Sequence, residues 1–283
     1  MSYLLSGVEA AKAITEDLHE QVEAMTGQPC LATVRMGNKD ADVSYELSIL
    51  KRCQKAGIEV RQVVIAEDAP QEELLNWICT LNADREVHGI LVFRPLPKHI
   101  DENAVRRALA SHKDVDGITD WSMANLYSGN NRSSFFPSCT AEGCVALLKH
   151  YQIPIEGKHV VIVGRSMVVG KPLAMLMLQE NATVTICHSK TENLSAICQG
   201  ADILVVAAGK ASLIGAEHVR PGQVILDVGI NTDAEGKLCG DVRFEEVKNI
   251  VKAITPVPGG VGSMTTAILA SHVVKAAEKM IGR

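Results

Sequence analysis

The chain has 283 residues, about the length of two ordinary domains, and its 47% apolar content is ample for two buried cores. Its net charge of −5, without a long run of lysine and arginine, argues against nucleic acid as the main partner. No stretch approaches the roughly 20 apolar residues of a membrane-spanning helix, and the N-terminus lacks the regions of a signal peptide, so we expect no membrane partner and a cytoplasmic location.

Helical and strand patterns alternate through the first part of the chain. The predicted helices span residues 7–25, 43–56, 71–82 and 101–110, and the predicted strands span 30–36, 58–65 and 88–93. This alternation is typical of a parallel, doubly wound sheet that is covered by helices, with its ligand beyond the carboxyl ends of the strands. Two such ends carry unusual sequence, Arg94–Pro97 and Lys113–Gly117.

The second part of the chain begins after a polar run, Ser128–Ser134, which we interpret as a linker or flexible loop near a domain seam. Thr140 is predicted to cap the next helix. Further strands are expected at 203–208 and 224–228, and a last helix at 264–280. The glycine- and proline-rich loop before that helix, 256–262, either lets backbone approach a ligand closely or makes a tight connection between domains.

The eight cysteines contain no C-x-x-C pair, and the nine histidines form no spacing typical of metal ligands. We therefore expect no metal site. Most of the cysteines lie in apolar runs, where a reduced thiol behaves as a small hydrophobic side chain.

A nucleotide-binding motif is predicted at the strand His159–Val163, which is mostly β-branched as a strand buried on both faces should be. Gly164 ends the strand, and Gly170 lets the following helix pack closely. The spacing differs from the usual G-x-G-x-x-G fingerprint, but the N-terminus of the helix can still receive a phosphate group.

The preferred nucleotide follows from the next strand, 183–187, which should end near the adenosine ribose. An NAD site places a carboxylate there, whereas this chain has His188, Ser189 and Lys190. Because Arg165 can also bond a 2′-phosphate in a fork, we expect NADP rather than NAD. The alternative is that Arg165 is an ordinary solvated surface arginine.

Five motifs occur in order along the chain: VVIVGRSMVVGKP, TVTICHSKT, DVGIN, GDV and ITPVPGGVGSMT. Together they resemble the methylenetetrahydrofolate dehydrogenase/cyclohydrolase family, the bifunctional folate enzymes of one-carbon metabolism. The resemblance implies two α/β domains: a folate-binding domain over 1–138, completed by the C-terminal helix 264–283, and a Rossmann-like NADP domain over 139–263. It also implies tetrahydrofolate derivatives as substrates and a homodimer.

The resemblance also implies roles for individual residues. The cofactor-binding residues that it implies are Gly164, Arg165, Ser166, Ser189 and, through its backbone, Ile230. The substrate-binding residues that it implies are Tyr45, Asp116, Pro258 and Gly259, of which Tyr45 and Asp116 are also catalytic.

The folate side departs from the family pattern. The family has a catalytic lysine four residues after the tyrosine, on the same helix face, but this chain has Ile49 there. The family's glutamine, hydrogen-bonded to that lysine, is Phe93 here. Measured from Tyr45, Lys51 lies about 120° away around the helix. Arg52 lies nearer to the face of Tyr45, but about two turns further along the helix. Two smaller departures are residues 119–122, where the family has H-P-x-N, and Ser263, where it has proline.

These departures affect the two activities differently. Hydride transfer from methylenetetrahydrofolate mainly needs two ligands held in contact, whereas hydrolysis of the methenyl cation needs a positioned acid or base. We therefore expect an NADP-dependent dehydrogenase with weak or missing cyclohydrolase activity. The alternatives are a fully bifunctional enzyme in which Arg52, Arg94 or another group replaces the lysine, and a non-catalytic NADP-binding homologue that acts as an interaction protein.

Simpler roles are also open for the folate residues. Tyr45 could be a tyrosine of an amphipathic helix, and Asp116 could only form a turn before Gly117. Ile49 and Phe93 could be plain core residues, in which case packing has replaced a polar cluster.

Overall fold

The computed structural model describes residues 3–129, 135–233 and 235–281. The chain divides into two compact units, each described by itself below. The C-terminal unit contains the chain up to Ala11 and Thr140–Thr265, and the N-terminal unit contains Lys12–Cys139 and the chain from Thr266 onward. The predicted first domain, 1–138, differs from the N-terminal unit at its start because the residues up to Ala11 belong to the other unit.

The N-terminal unit contains a parallel three-stranded sheet. Its strands are β2 (Cys30–Met36), β3 (Glu59–Ile65) and β4 (Gly89–Val92), in the order β3-β2-β4. The central strand, β2, is buried along its whole length, and its two polar residues, Thr33 and Arg35, both donate to the carboxylate of Glu46. The carboxyl ends of β2 and β4 lie side by side, since Val34 pairs with Val92.

The α-helices described between residues 3 and 129 are α1 (Gly7–Glu23), α2 (Asp40–Ala56), α3 (Gln71–Ala83), α4 (Glu102–Ala108) and α5 (Asp120–Ser128). The first four confirm the alternating pattern. α2 begins three residues before its predicted start, with Asp40 and Asp42 in its first turn, where carboxylates stabilise the helix dipole. α5 was not predicted.

The C-terminal unit is built on a parallel six-stranded sheet. Its strands are β1 (Tyr3–Leu4), β5 (His159–Val163), β6 (Thr183–Cys187), β7 (Ile203–Val206), β8 (Val224–Asp227) and β11 (Ala253–Ile254), in the order β1-β11-β8-β7-β5-β6. From β5 the chain steps to β6 on one side and then returns to β7 on the other. The carboxyl edge between β5 and β7 is therefore the switch point at which doubly wound sheets bind ligands.

The C-terminal unit also contains helices and a two-stranded antiparallel ribbon. The helices are α6 (Cys139–His150), α7 (Gly170–Gln179), α8 (Leu194–Gln199) and α9 (Phe244–Val247), and β9 (Asn231–Thr232) pairs antiparallel with β10 (Leu238–Cys239). The last helix, α10 (Val261–Ile281), starts in the C-terminal unit and belongs to the N-terminal unit from Thr266 onward. This confirms that the last helix returns to the first domain.

Three details of the prediction are corrected. α6 begins at Cys139, so Thr140 lies within its first turn rather than at its cap, and its Oγ1 lies 3.3 Å from Oγ1 of Thr265. α10 begins at Val261, three residues before the predicted start. β7 ends at Val206, because the backbone then turns and Ala208 donates its N–H to a carboxylate oxygen of Asp241.

Most of the predicted linker 128–134 lies outside the described residues, and Ser128 is the last residue of α5.

Six of the eight cysteines are buried, which agrees with their interpretation as apolar side chains, whereas Cys79 is exposed and Cys239 half-buried. Across residues 3–129, 135–233 and 235–281, no helix combines the length and the apolar character needed to span a bilayer.

Candidate nucleotide and folate sites

The glycine loop after β5 depends on close backbone approach at two positions. Gly164 has φ +141°, and a Cβ there would collide with the carbonyl oxygen of Ala207, just after β7. A Cβ on Gly170, the first residue of α7, would collide with the carbonyl oxygen of Gly164. Side chains are therefore excluded where the ends of β5, β7 and α7 meet, which leaves backbone lining the predicted phosphate site.

Ser166 gives this loop its shape. Its Oγ accepts the N–H of Val169 at 3.1 Å, and its carbonyl oxygen accepts the N–H of Lys171 at 3.0 Å. The residues Arg165–Val168 are exposed. Arg165 forms no ion pair with any residue that the structure describes, so its guanidinium has free donors for an anion.

The turn after β6 lies at the same edge of the sheet. Val163 pairs with Cys187, so Arg165 and Ser189 each lie two residues beyond the paired ends of neighbouring strands. His188 ties the turn, since its Nδ1 accepts the N–H of Lys190 at 3.1 Å. Ser189 and Lys190 are exposed, and the first carboxylate along the chain after the strand is Glu192.

Ile230 follows β8 and is 64% exposed, an unusual value for an isoleucine. The next residue, Asn231, donates its side-chain amide to Oδ1 of Asp241 at 2.9 Å. Ile230 is thus exposed at the carboxyl edge, next to a residue whose side chain is hydrogen-bonded.

In the N-terminal unit, Tyr45 on α2 contacts Phe93, the residue after β4. Their rings meet edge to face with centroids 5.7 Å apart. Phe93 is 6% exposed, and Ile49, one turn beyond Tyr45, is 1% exposed. Burial, and next the negative charge of Asp116, raises the pKa of the Tyr45 hydroxyl well above its ordinary value, so this hydroxyl stays protonated.

Asp116 is held in place through both of its carboxylate oxygens. Oδ2 accepts from Nη2 of Arg94 at 3.2 Å, and Oδ1 accepts the backbone N–H of Cys139 at 3.2 Å. The side chain remains 19% exposed, and each oxygen keeps a lone pair for a further donor. Asp116 itself lies in a turn, and Gly117 after it has φ +65°, so Asp116 belongs to a turn and also presents a carboxylate.

Pro258 and Gly259 belong to the C-terminal unit, whereas Tyr45 and Asp116 belong to the N-terminal unit. Gly259 has φ +97°, a conformation that favours glycine, and its carbonyl oxygen accepts the N–H of Gly7 at 2.9 Å. Pro258 is exposed.

Family models cover most of the chain. The tetrahydrofolate dehydrogenase/cyclohydrolase catalytic domain matches residues 5–116, and the NAD(P)-binding domain of the same family matches residues 138–281. The chain belongs to the tetrahydrofolate dehydrogenase/cyclohydrolase family. The match to the NAD(P)-binding domain covers Thr140–Thr265 of the C-terminal unit and continues along α10 into the N-terminal unit.

Individual relatives are similar over their whole length. Bifunctional protein FolD of Clostridium botulinum is 48% identical over 282 residues, which is 99% of each chain. The structure of FolD methylenetetrahydrofolate dehydrogenase/cyclohydrolase from Campylobacter jejuni is 41% identical, covers 99% of both chains and superposes with a TM-score of 0.95. FolD of Trypanosoma brucei, solved with NADP and an inhibitor, is 31% identical with a TM-score of 0.92 over 98% of both chains.

Sequence analysis named Lys51, Arg52 and Arg94 as cations that could be considered in place of the family's catalytic lysine. Arg52 donates from Nη1 to Oγ1 of Thr15 at 2.7 Å and from Nε to Oγ1 of Thr266 at 3.4 Å, so its guanidinium is held against α1 and α10. Lys51 is exposed. Arg94 contacts a predicted site residue, since its Nη2 lies 3.2 Å from Oδ2 of Asp116.

The family motif around Asp116 contains two residues with structural roles. Lys113 is buried and donates from Nζ to the carbonyl oxygens of Leu81, at 2.8 Å, and Asp84. Asp114 is also buried, and its carboxylate accepts from Thr119 and Ser122. Thr119, which begins the segment that departs from the family's H-P-x-N, is the N-cap of α5.

Sequence reasoning missed two buried aspartates in the family motifs DVGIN and GDV. Asp227 accepts the backbone N–H groups of Gly229, Asp241 and Val242 at 3.0 to 3.1 Å. Burial raises the pKa of Asp227 to about 6. The sequence feature that could have identified Asp227 is its place at the end of an apolar strand. A buried charge in that position is stable only with several hydrogen bonds.

Proposed function

We propose that this protein catalyses NADP-dependent oxidation of 5,10-methylenetetrahydrofolate to 5,10-methenyltetrahydrofolate, with weak or missing hydrolysis of the methenyl product to 10-formyltetrahydrofolate. The observation that carries the proposal is the buried apolar pair Ile49 and Phe93 beside Tyr45, where the family pattern has lysine and glutamine. The glycine loop of the nucleotide site is intact at the same time.

The two steps make different demands on the protein. In the oxidation, the methylene carbon loses a hydride and becomes a cation, and no proton has to move, so orientation supplies most of the catalysis. In the hydrolysis, water adds to the cation and protons are released, which requires a group that can hold and move them. Ile49 and Phe93 cannot do this, because neither side chain has a donor or an acceptor.

The residues of the N-terminal unit fit a pterin. The Asp116 carboxylate can accept the pterin N–H groups through charge-assisted hydrogen bonds, since it is anchored by Arg94 and by the Cys139 amide without using all its lone pairs. The Tyr45 hydroxyl is a protonated donor. We assign substrate binding in this unit to these two residues. For the C-terminal unit, substrate contact by Pro258 and Gly259 stays a prediction.

The residues of the C-terminal unit fit NADP. Gly164, Ser166 and the N-terminus of α7 form a backbone cradle that a Cβ would fill, and this cradle suits a pyrophosphate. Arg165 and Ser189 lie at neighbouring strand ends, where a 2′-phosphate would be placed. NADP, when bound, supplies the hydride acceptor, and its presence in the related Trypanosoma brucei structure supports this choice over NAD.

A fully bifunctional enzyme is the second candidate, and the ion pair between Arg94 and Asp116 favours it. Arg94 places a cation beside the predicted pterin anchor, and the relative from Clostridium botulinum is named a bifunctional protein. Single alanine substitutions of Arg94 and Arg52 would identify the replacement group if hydrolysis is found. A non-catalytic interaction protein is disfavoured, because both the cradle and Asp116 are present.

The test follows the methenyl product by its absorbance while NADPH is followed by fluorescence. We expect methenyltetrahydrofolate to accumulate in step with NADPH and then to decay at the rate of an enzyme-free control. FolD of Clostridium botulinum serves as the reference enzyme in the same assay. Conversion of methenyl to formyl product as fast as methenyl is formed would contradict the loss of hydrolysis, and an absence of NADPH formation would contradict the dehydrogenase.

Two earlier expectations, a homodimer and a cytoplasmic location, stay predictions. Sedimentation of the purified protein would measure its oligomeric state. The chemistry proposed above depends on neither of them.

A further inference from the structure

Asp241 makes an unusual set of hydrogen bonds for a single side chain. It is fully buried, and its Oδ2 accepts the backbone N–H groups of Ala208 at 2.7 Å and Gly209 at 2.9 Å. Its Oδ1 accepts the backbone N–H of Lys210 at 2.8 Å and the side-chain amide of Asn231 at 2.9 Å. Three consecutive backbone N–H groups thus converge on one buried carboxylate, in the manner of an anion-binding nest.

The donors lie at the carboxyl edge of the six-stranded sheet. Residues 208–210 follow β7, and Asn231 begins β9, which follows β8. β7 neighbours β5, and the carbonyl of Ala207 is the group that excludes a side chain from Gly164. The loop bound by Asp241 therefore begins beside the predicted phosphate cradle.

The loop residues are exposed and Asp241 is not. Residues 208–210 and Ile230 face solvent at this edge, whereas the exposed fraction of Asp241 is 0%. Asp241 consequently acts on a ligand at this edge only through the backbone that it holds.

Asp241 is itself held in one arrangement by Asp227. Oδ1 of Asp227 accepts the N–H of Asp241 at 3.0 Å and the N–H of Gly229 at 3.1 Å. A Cβ on Gly229 would collide with the carboxylate of Asp241, and a Cβ on Gly240 would collide with the carboxylate of Asp227. Each carboxylate therefore packs directly against a glycine backbone, the Asp241 carboxylate against Gly229 and the Asp227 carboxylate against Gly240.

We propose that Asp241 is a positioning residue for NADP binding, which fixes the loops after β7 and β8 in the conformation that receives the dinucleotide. The proposal rests on the function proposed above. Both oxygens are needed, because each accepts two donors. An asparagine of the same shape offers one acceptor oxygen, and its NH₂ group faces two N–H donors.

The test compares Asp241→Asn with Asp202→Asn. Asp202 lies just before β7, at the amino edge of the same sheet, and accepts the N–H of His159 at 3.0 Å and Nη2 of Arg220 at 3.4 Å. We expect Asp241→Asn to raise the Kd and KM for NADP roughly tenfold or more, in keeping with lost charge-assisted hydrogen bonds. The Kd for folate should stay within about twofold of the unaltered value, and Asp202→Asn should leave the Kd for NADP unchanged.

Asn231→Ala is a milder variant for the case in which Asp241→Asn does not fold. It removes one of the four donors, so we expect a smaller rise in the Kd for NADP, roughly threefold to tenfold. Unchanged NADP binding in the folded variants, or an equal loss of folate and NADP binding, would overturn the proposal. If the unaltered protein does not bind NADP, the proposed function fails as well, so the two failures are distinguishable.

Discussion

The nucleotide side and the folate side of this protein differ in what carries their chemistry. On the nucleotide side, the decisive features are backbone positions where a side chain does not fit, Gly164 and Gly170. On the folate side, they are side chains at Tyr45, Ile49 and Phe93, and two of these three are apolar where the family is polar. The comparison teaches that a site made of backbone geometry is hard to alter within the fold, whereas a site made of side chains can change its chemistry and remain packed.

Restoring the polar pair is the strongest test of this difference between the two sides. Ile49→Lys with Phe93→Gln should raise the hydrolysis rate by roughly 10²- to 10⁴-fold, the usual contribution of general acid–base catalysis. The decay of methenyltetrahydrofolate in the presence of the variant measures this rate.

The single variants provide the control for that experiment. Ile49→Lys alone places an ammonium at a position that is 1% exposed, facing the Phe93 ring, so it should gain little hydrolysis and lose stability. Phe93→Gln alone supplies no group that moves protons. Gains in the single variants that add up to the gain in the double variant would show that the two groups do not act as a unit.

Asp116→Ala tests whether the folate side retains its anchor. We expect folate affinity to fall roughly 10- to 100-fold through the loss of charge-assisted hydrogen bonds, while NADP affinity is kept. Equilibrium titration with each ligand measures both affinities. Glu102→Ala is the matched control, because Glu102 also lies near Arg94, at 3.5 Å, without touching Asp116. Unchanged folate affinity in a folded Asp116→Ala protein would reduce Asp116 to a turn former.

Arg165→Ala should have the smallest of these effects, because its guanidinium is exposed and is screened by salt. The preference for NADP over NAD should narrow by about tenfold, near the lower end expected for one charge-assisted contact. Titration with both nucleotides measures the preference, and Lys252→Ala removes an exposed cation at the amino edge of the sheet as a control. Equal affinities of the unaltered protein for NAD and NADP would contradict the role of Arg165.

Much of the fold could be predicted because burial leaves a periodic record in the sequence. β5 and β6 have their predicted bounds. β5 is an apolar run that is buried after its first residue, whereas β6 is a less buried edge strand that its β-branched residues predict. α5 was missed because its sequence, DWSMANLYS, has no apolar stripe and depends on its caps, Thr119 and Gly129. Propensity alone does not show this.

The site was predictable to a different extent on its two sides. The glycine loop has a local signature, so Gly164 and Gly170 were found from their places at the end of a β-branched strand and the start of the following helix. The contact between Arg94 and Asp116 joins residues that are distant in sequence, and only the fold brings them together. The same is true of Asp241, whose partners at 208–210 and 231 follow different strands.

The chain passes between the two units three times, after residues 11, 139 and 265. Neither unit is therefore a contiguous stretch of the gene. A fragment ending at residue 139 has β1 without its partner strand β11, and it lacks the residues from Thr266 onward, such as His272, whose Nδ1 lies 2.8 Å from the carbonyl oxygen of Val115. A single genetic crossover cannot transfer one unit whole without part of the other, so every chimaera made by one crossover divides at least one unit between two parents.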